Sequence, residues 1–232
     1  MTHLVLLPGL DGTEIFFAPL LAALPPDVEP RVVCYPEKSS HGYAELLSIV
    51  RQAIADVPEC YVLGWSFSGP LALMLAAAEP AKVRGVILSA SFVRAPHPNL
   101  ARVRFAVAGP VIWLWRAARR LPLWLLRPRT DALRQAKTQT WRRLSAGVIA
   151  ARMREALRID ARRILQDCPH PVLYLASTKD EIVPHRCLSE IRRVKPSVRV
   201  VTIPGRHLAM YTHPQAAAQA ITAFITRGMS YR

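Results

Sequence analysis

Residues 60–78 constrain the fold of this chain more than any other stretch. Cys60-Tyr-Val-Leu-Gly-Trp-Ser-Phe-Ser-Gly69 carries a short apolar run straight into Gly69 to Ala78, a helical stretch rich in Leu and Ala that Pro80 stops. A short run of this kind, bounded by Gly, Pro or polar residues, reads as a strand and suits a parallel sheet buried on both faces. Only glycines, serines, Trp65 and Phe67 separate it from the helical stretch, so the chain must turn sharply from strand into helix. That turn is the opening half of a βαβ unit, which places the strand in a parallel sheet.

The same alternation recurs along the chain. Leu4 to Leu7, Arg31 to Tyr35, Tyr61 to Gly64, Val86 to Leu88, Val172 to Ala176 and Val198 to Ile203 read as strands. Tyr43 to Ala55, Gly69 to Ala78, Cys187 to Val194 and Pro214 to Thr226 read as helices, with Pro184 and Pro214 as first-turn prolines. The pattern predicts an α/β fold with a mostly parallel open sheet of about six strands flanked by helices. At 232 residues the chain fits one domain with a full core, and order is expected to extend to about Gly228.

One segment breaks the alternation. From Phe92 to Leu165 the sequence is helical in character, cut by Pro96, Pro98, Pro110, Pro122 and Pro128. The formal charge of +15 is concentrated there: Phe92 to Gln166 holds seventeen Lys and Arg against Asp131, Glu155 and Asp160. The expected organisation is a core of residues 1–91 and 166–232, with a basic helical insertion at 92–165. The amino terminus shows no export signal and the apolar run from Phe105 to Trp115 is too short to span a bilayer, so the expected location is cytoplasmic. Cys34, Cys60, Cys168 and Cys187 have no C-x-x-C spacing, and the histidines share no metal-ligand spacing; no metal and no cofactor is expected.

The chemistry sits at strand ends. Ser66 occupies the turn between strand and helix, where its hydroxyl stands above the sheet edge and the Phe67 N–H lies at the helix start. Asp180 falls in the loop after the strand from Val172, and His207 in the loop after the strand ending at Ile203. Loops at the carboxyl ends of strands converge in an open sheet. A serine needs a base to be nucleophilic at neutral pH. His207 would take its proton, and Asp180, preferred over Glu181 for its spacing to Val183-Pro184, would orient the imidazole. Leu7-Pro-Gly-Leu-Asp-Gly12 after the first strand permits a tight turn whose Leu10 N–H could join that of Phe67 in holding an oxyanion. Plainer alternatives are a serine helix cap, an acidic helix start, a surface histidine and an ordinary connecting loop.

These residues resemble the α/β-hydrolase superfamily over most of the chain, in the order Ser, Asp, His. The resemblance implies the α/β-hydrolase fold, Ser66 as nucleophile, Asp180 as acid, His207 as base, Leu10 with Phe67 as oxyanion hole, and the insertion as the cap. The chain departs from the family pattern in three places. Ser68 replaces the last glycine of G-x-S-x-G, Pro8 stands where many members have histidine, and there is no room before Leu4 for the family's first two strands.

In the insertion, Trp113, Trp115 and Trp124, together with Trp65 beside the serine, are candidates for lining a substrate pocket. Arg116, Arg119, Arg120, Arg142, Arg143, Arg154 and Arg158 are candidates for docking an anionic partner. The cap resembles that of the pimeloyl-ACP methyl ester esterases, which implies an acidic acyl carrier protein as partner and an acyl ester as substrate. A basic, Trp-bearing insertion also suits an anionic membrane surface. The same machinery would serve an acyl thioesterase or a lipase. A non-catalytic binding protein of the same fold is the further alternative, and no nucleic-acid motif accompanies the arginines.

Overall fold

The computed structural model describes residues 1–99 and 131–229. Its strands are β1 (Thr2–Leu7), β2 (Val28–Val32), β3 (Cys60–Trp65), β4 (Val83–Ser89), β5 (Val172–Ser177) and β6 (Arg199–Ile203). Its α-helices are α1 (Ala18–Ala23), α2 (Tyr43–Ala53), α3 (Gly69–Ala78), α4 (Ala132–Arg143), α5 (Ala146–Ala156), α6 (Arg162–Asp167), α7 (His185–Val194), α8 (Ala209–Thr212) and α9 (Pro214–Met229). All six strands pair in parallel, in the order β2-β1-β3-β4-β5-β6.

The strand sequences require this two-sided cover. Every residue of β3 and β5 is buried, so side chains on both faces of the sheet must find apolar neighbours. Val5, Leu7, Val62, Val86, Leu88, Val172 and Tyr174 point to one face, where α2, α3, α6 and α7 bury Leu46, Leu71, Leu165 and Ile191 against them. Leu4, Leu6, Leu63, Ile87, Leu173 and Leu175 point to the other, under α1, α8 and α9 with Leu20, Met210, Ile221 and Phe224. Each such side chain contributes about 1.5–3 kcal/mol through removal from water.

The site's location follows from the topology. β1 and β3 are neighbours, yet the helices that follow them, α1 and α3, pack on opposite faces. In an open α/β sheet this switch between neighbouring strands is the place where ligands bind, and the loop after β1 and the turn after β3 both lie at it, at the strands' carboxyl ends.

Three expectations need correcting. The second strand lies three residues earlier than the sequence suggested and contains Pro30, opposite Leu4. It is the sheet edge: Asp27 O accepts from Thr2 N at 2.9 Å and Val33 N donates to Leu6 O at 3.0 Å. Counting by twos, Pro30 turns its missing N–H away from β1, a position an edge strand tolerates. The last helix also runs past Gly228 to Met229. A Cβ at Gly228 would lie 2.3 Å from the Tyr61 hydroxyl, so the glycine lets the helix end close over that ring. Pro184 precedes α7 as its N-cap rather than entering its first turn, and α1 carried no signal that singled it out.

Between β4 and β5 the described chain forms α4, α5 and α6. The segments by which it leaves and returns are bonded to each other: Ala161 N donates to Val93 O at 2.7 Å and Ala95 N to Ile159 O at 3.3 Å. Among the described residues, no helix is long and apolar enough to cross a membrane.

Candidate active site

Ser66 directly follows β3 with φ of 52°, the left-handed conformation that a non-glycine residue adopts only under constraint. The turn is tight on both sides. A Cβ at Gly64 would lie 2.2 Å from the Ser68 carbonyl oxygen, and one at Gly69 would lie 1.9 Å from Ser91 Oγ. Glycine at both positions is thus a packing requirement. The Ser91 hydroxyl donates to Ser66 O at 2.6 Å, and Tyr174 holds Ser91 in turn, donating to its carbonyl at 2.8 Å and accepting from its N–H at 3.1 Å. The strained serine is braced from β4 and β5.

The strand-end loops bring His207 and Asp180 to it. Ser66 Oγ lies 2.9 Å from His207 Nε2, and His207 Nδ1 lies 2.9 and 3.0 Å from the two Asp180 oxygens. Asp180 Oδ1 also accepts from the N–H groups of Ile182 and Val183, each at 2.9 Å. Burial would raise the Asp180 carboxyl, but the His207 imidazole and the two amides together hold it below its ordinary value. An ionised carboxylate can only accept, so Nδ1 carries the proton. Nε2 of the neutral ring is then left as an acceptor aimed at the serine. Glu181 turns away and pairs with Arg206 on the surface.

The residues flanking Ser66 are fixed as firmly. Phe67 is held twice by Tyr43 at the start of α2: the rings stack at 4.7 Å, and the Tyr43 hydroxyl donates to Phe67 O at 2.8 Å. Ser68, where the family motif has glycine, is fully buried; its hydroxyl donates to Pro8 O and lies 2.5 Å from the Tyr35 hydroxyl. The departure from G-x-S-x-G thus supplies a hydroxyl that ties the turn after β3 to the loop after β1. Pro8 contributes its carbonyl to that tie. Within the loop, Gly12 N donates to Gly9 O at 3.0 Å, closing a turn around Leu10 and Asp11, and Gly12 has φ of 73°.

Trp65 lies behind the imidazole. Its ring centroid is 5.7 Å from that of His207, and Phe16 and Phe17 meet it edge-on at 5.6 and 6.2 Å. Of the arginines singled out in the insertion, Arg142 and Arg158 are exposed and Arg154 is half-buried. Arg158 forms an ion pair with Glu155, and Arg143 reaches Glu14 at 3.1 Å and Glu37 at 3.8 Å. Trp113, Trp115, Trp124, Arg116, Arg119 and Arg120 lie outside the described residues. Tyr35, Tyr43 and Ser91 carried no sequence signal, because each reaches the site from at least 24 residues away in the chain. Among the described residues, no group of three or more His, Cys, Asp or Glu is placed to hold a metal ion.

The model of the alpha/beta hydrolase family matches residues 4–220, and the chain belongs to that family. A pimeloyl-[acyl-carrier protein] methyl ester esterase of Neisseria meningitidis is 32% identical, over 72% of this chain and 69% of its own. One from Xanthomonas axonopodis pv. citri is 28% identical, covering 96% of this chain and 94% of its own. The crystal structure of a hydrolase from Pseudomonas aeruginosa superposes with a TM-score of 0.77 at 20% identity, over 97% of this chain and 89% of that one, and shows the shared fold.

Proposed function

We propose that this member of the alpha/beta hydrolase family is a carboxylic ester hydrolase that works through an acyl-enzyme on Ser66. The observation that carries the reading is the unbroken line of hydrogen bonds from a left-handed Ser66 through His207 to Asp180. Ser66 Oγ attacks the ester carbonyl as its proton passes to His207 Nε2. The amides of Leu10 and Phe67 hold the resulting oxyanion, and the imidazolium returns the proton to the departing alkoxide, leaving the acyl group on Ser66. Water, activated by the same imidazole, attacks the acyl-enzyme, the serine oxygen takes the proton back, and a carboxylic acid leaves. A thioester would pass through the same steps with a thiolate as leaving group.

For the substrate, we propose an acyl ester borne by an acidic carrier protein, with residues 92–165 acting as a basic cap over a core formed by 1–91 and 166–232. Two observations support this. The curated relatives are named as esterases of an acyl-carrier-protein-linked methyl ester. Fourteen of the fifteen net positive charges fall within the cap sequence. Charge of one sign on one module steers an oppositely charged partner.

Salt separates the carrier from a small ester. Raising ionic strength from low to about 0.5 M shortens the screening length to a few ångströms. KM for a carrier-linked acyl methyl ester is then expected to rise by about tenfold or more, while KM for a neutral p-nitrophenyl ester stays within about twofold. Steady-state kinetics on both substrates measures this. Equal salt responses would overturn the carrier reading, and co-sedimentation with anionic but not neutral vesicles would assign the basic face to a membrane instead.

A further inference from the structure

Arg152, on α5, resembles its neighbours Arg154 and Arg158 in sequence, yet no part of it is exposed. A guanidinium taken wholly out of water is costly unless its donors are used. No carboxylate among the described residues bonds it: the nearby Asp11 carboxylate accepts instead from Thr13, at 3.0 Å from the amide and 2.6 Å from the hydroxyl. Arg152 gives its donors to backbone. Nη1 donates to Leu10 O at 2.9 Å and Asp11 O at 3.0 Å, and Nη2 to Pro36 O at 2.8 Å. The guanidinium lies 5.5 Å over the Tyr35 ring, and Nε has no partner among the described residues. Gly12 makes room for it, since a Cβ there would sit 2.5 Å from Nη1.

The two loop carbonyls that Arg152 takes complete a set. Pro8 O accepts from Ser68, Gly9 O from Gly12 N, Leu10 O and Asp11 O from Arg152, and Gly12 O from Tyr35 N at 2.8 Å. Every carbonyl from Pro8 to Gly12 is engaged. Peptide planes are rigid and trans, so fixing the Gly9 carbonyl toward the inside of the turn turns the Leu10 N–H to the opposite side. Fixing the Leu10 and Asp11 carbonyls prevents the next two planes from rotating and carrying that N–H with them.

We propose that Arg152 is a positioning residue for the oxyanion hole: it locks the peptide planes of residues 9–12 so that the Leu10 N–H stays aimed at the reacting carbonyl. The readiness of the hole thereby depends on α5 being seated on the core. This rests on the reading of Ser66 as nucleophile and Leu10 as donor. The neighbouring helix adds to the seat, since Arg143 on α4 pairs with Glu14, two residues past Gly12, and with Glu37, next to Pro36.

The test uses the full chain with Arg152→Met, which keeps length but has no donors, and Arg152→Lys, which keeps the charge and fewer donors. On a short p-nitrophenyl ester, Arg152→Met is expected to lower kcat by about 10- to 100-fold, the scale of a misaimed oxyanion donor, with KM within about threefold. A trifluoromethyl ketone, whose serine adduct places an oxyanion in the hole, should weaken by the same factor. Arg152→Lys should recover part of both. Hydrogen exchange should rise by about tenfold or more at amides 9–13, while β1 and β5 keep their protection. Unchanged kcat, unchanged inhibitor affinity despite lower kcat, or protection lost uniformly across the core would each overturn the proposal. Ester turnover that survives Ser66→Ala would instead sink the reading of Ser66, and exchange at 9–13 would still report whether Arg152 holds the loop.

Discussion

Ser66→Ala is expected to abolish ester hydrolysis, lowering kcat by about 10⁶-fold while leaving the fold intact. The size follows from what the hydroxyl does: without it no acyl-enzyme forms, and only binding and the oxyanion donors are left to help water. Neither serine beside it in the structure is placed to stand in. The Ser68 hydroxyl is spent on Pro8 and Tyr35, and that of Ser91 on Ser66 O, so neither is bonded to His207. The fold should hold because the substitution keeps Cβ, and the brace from Ser91 reaches the backbone carbonyl rather than the side chain. Hydrolysis of a p-nitrophenyl ester by the two proteins, with melting curves alongside, gives the comparison. Residual activity within about tenfold of wild type would exclude Ser66 as the nucleophile.

The second large effect is expected at Asp180→Asn, with kcat reduced by about 10³- to 10⁴-fold. The loop geometry gives the reason. Ile182 and Val183 both donate to Oδ1, so the amide oxygen of asparagine stays on that side and its NH₂ faces His207. The ring must then accept at Nδ1 and carry its proton on Nε2, where it can no longer receive one from Ser66. The variant should fold, since the loop's bonds to Oδ1 survive. A pH profile adds a check of sign. The carboxyl is held below its ordinary value, so its contribution is complete above the unfolded carboxylate pKa of about 3.9 and is lost as pH falls through the lower folded value. Asparagine has no carboxyl to titrate, and raising the pH leaves its NH₂ facing Nδ1 and the proton on Nε2, so near wild-type turnover should not return. Recovery at alkaline pH to near wild-type turnover would contradict the tautomer account.

Much of this site was legible in the sequence because its parts are local signals. A strand that meets a helix through Gly64 to Gly69 can only turn as it does, and Asp180 and His207 each follow a strand within a few residues. Edges and long-range supports were not legible. Pro30 looks like a strand breaker until the strand is known to lie at the rim of the sheet. Ser68 reads as a flaw in the glycine motif until its hydroxyl is seen to reach Pro8, sixty residues away. Arg152 reads as one more cation in a basic insertion, and only its packing against a loop 142 residues earlier sets it apart. Pattern reports periodicity and neighbours; it does not report which buried polar atom will meet which carbonyl.

The most direct test of the central claim is to find where the acyl group goes. The protein would be mixed with a p-nitrophenyl ester and acid-quenched within the first turnovers, or treated with a fluorophosphonate, and its peptides then read by mass spectrometry. The expected result is one acyl or phosphonyl group per chain on the peptide containing Ser66, absent from Ser66→Ala. A label on a peptide lacking Ser66, or equal labelling of wild type and Ser66→Ala, would contradict the account.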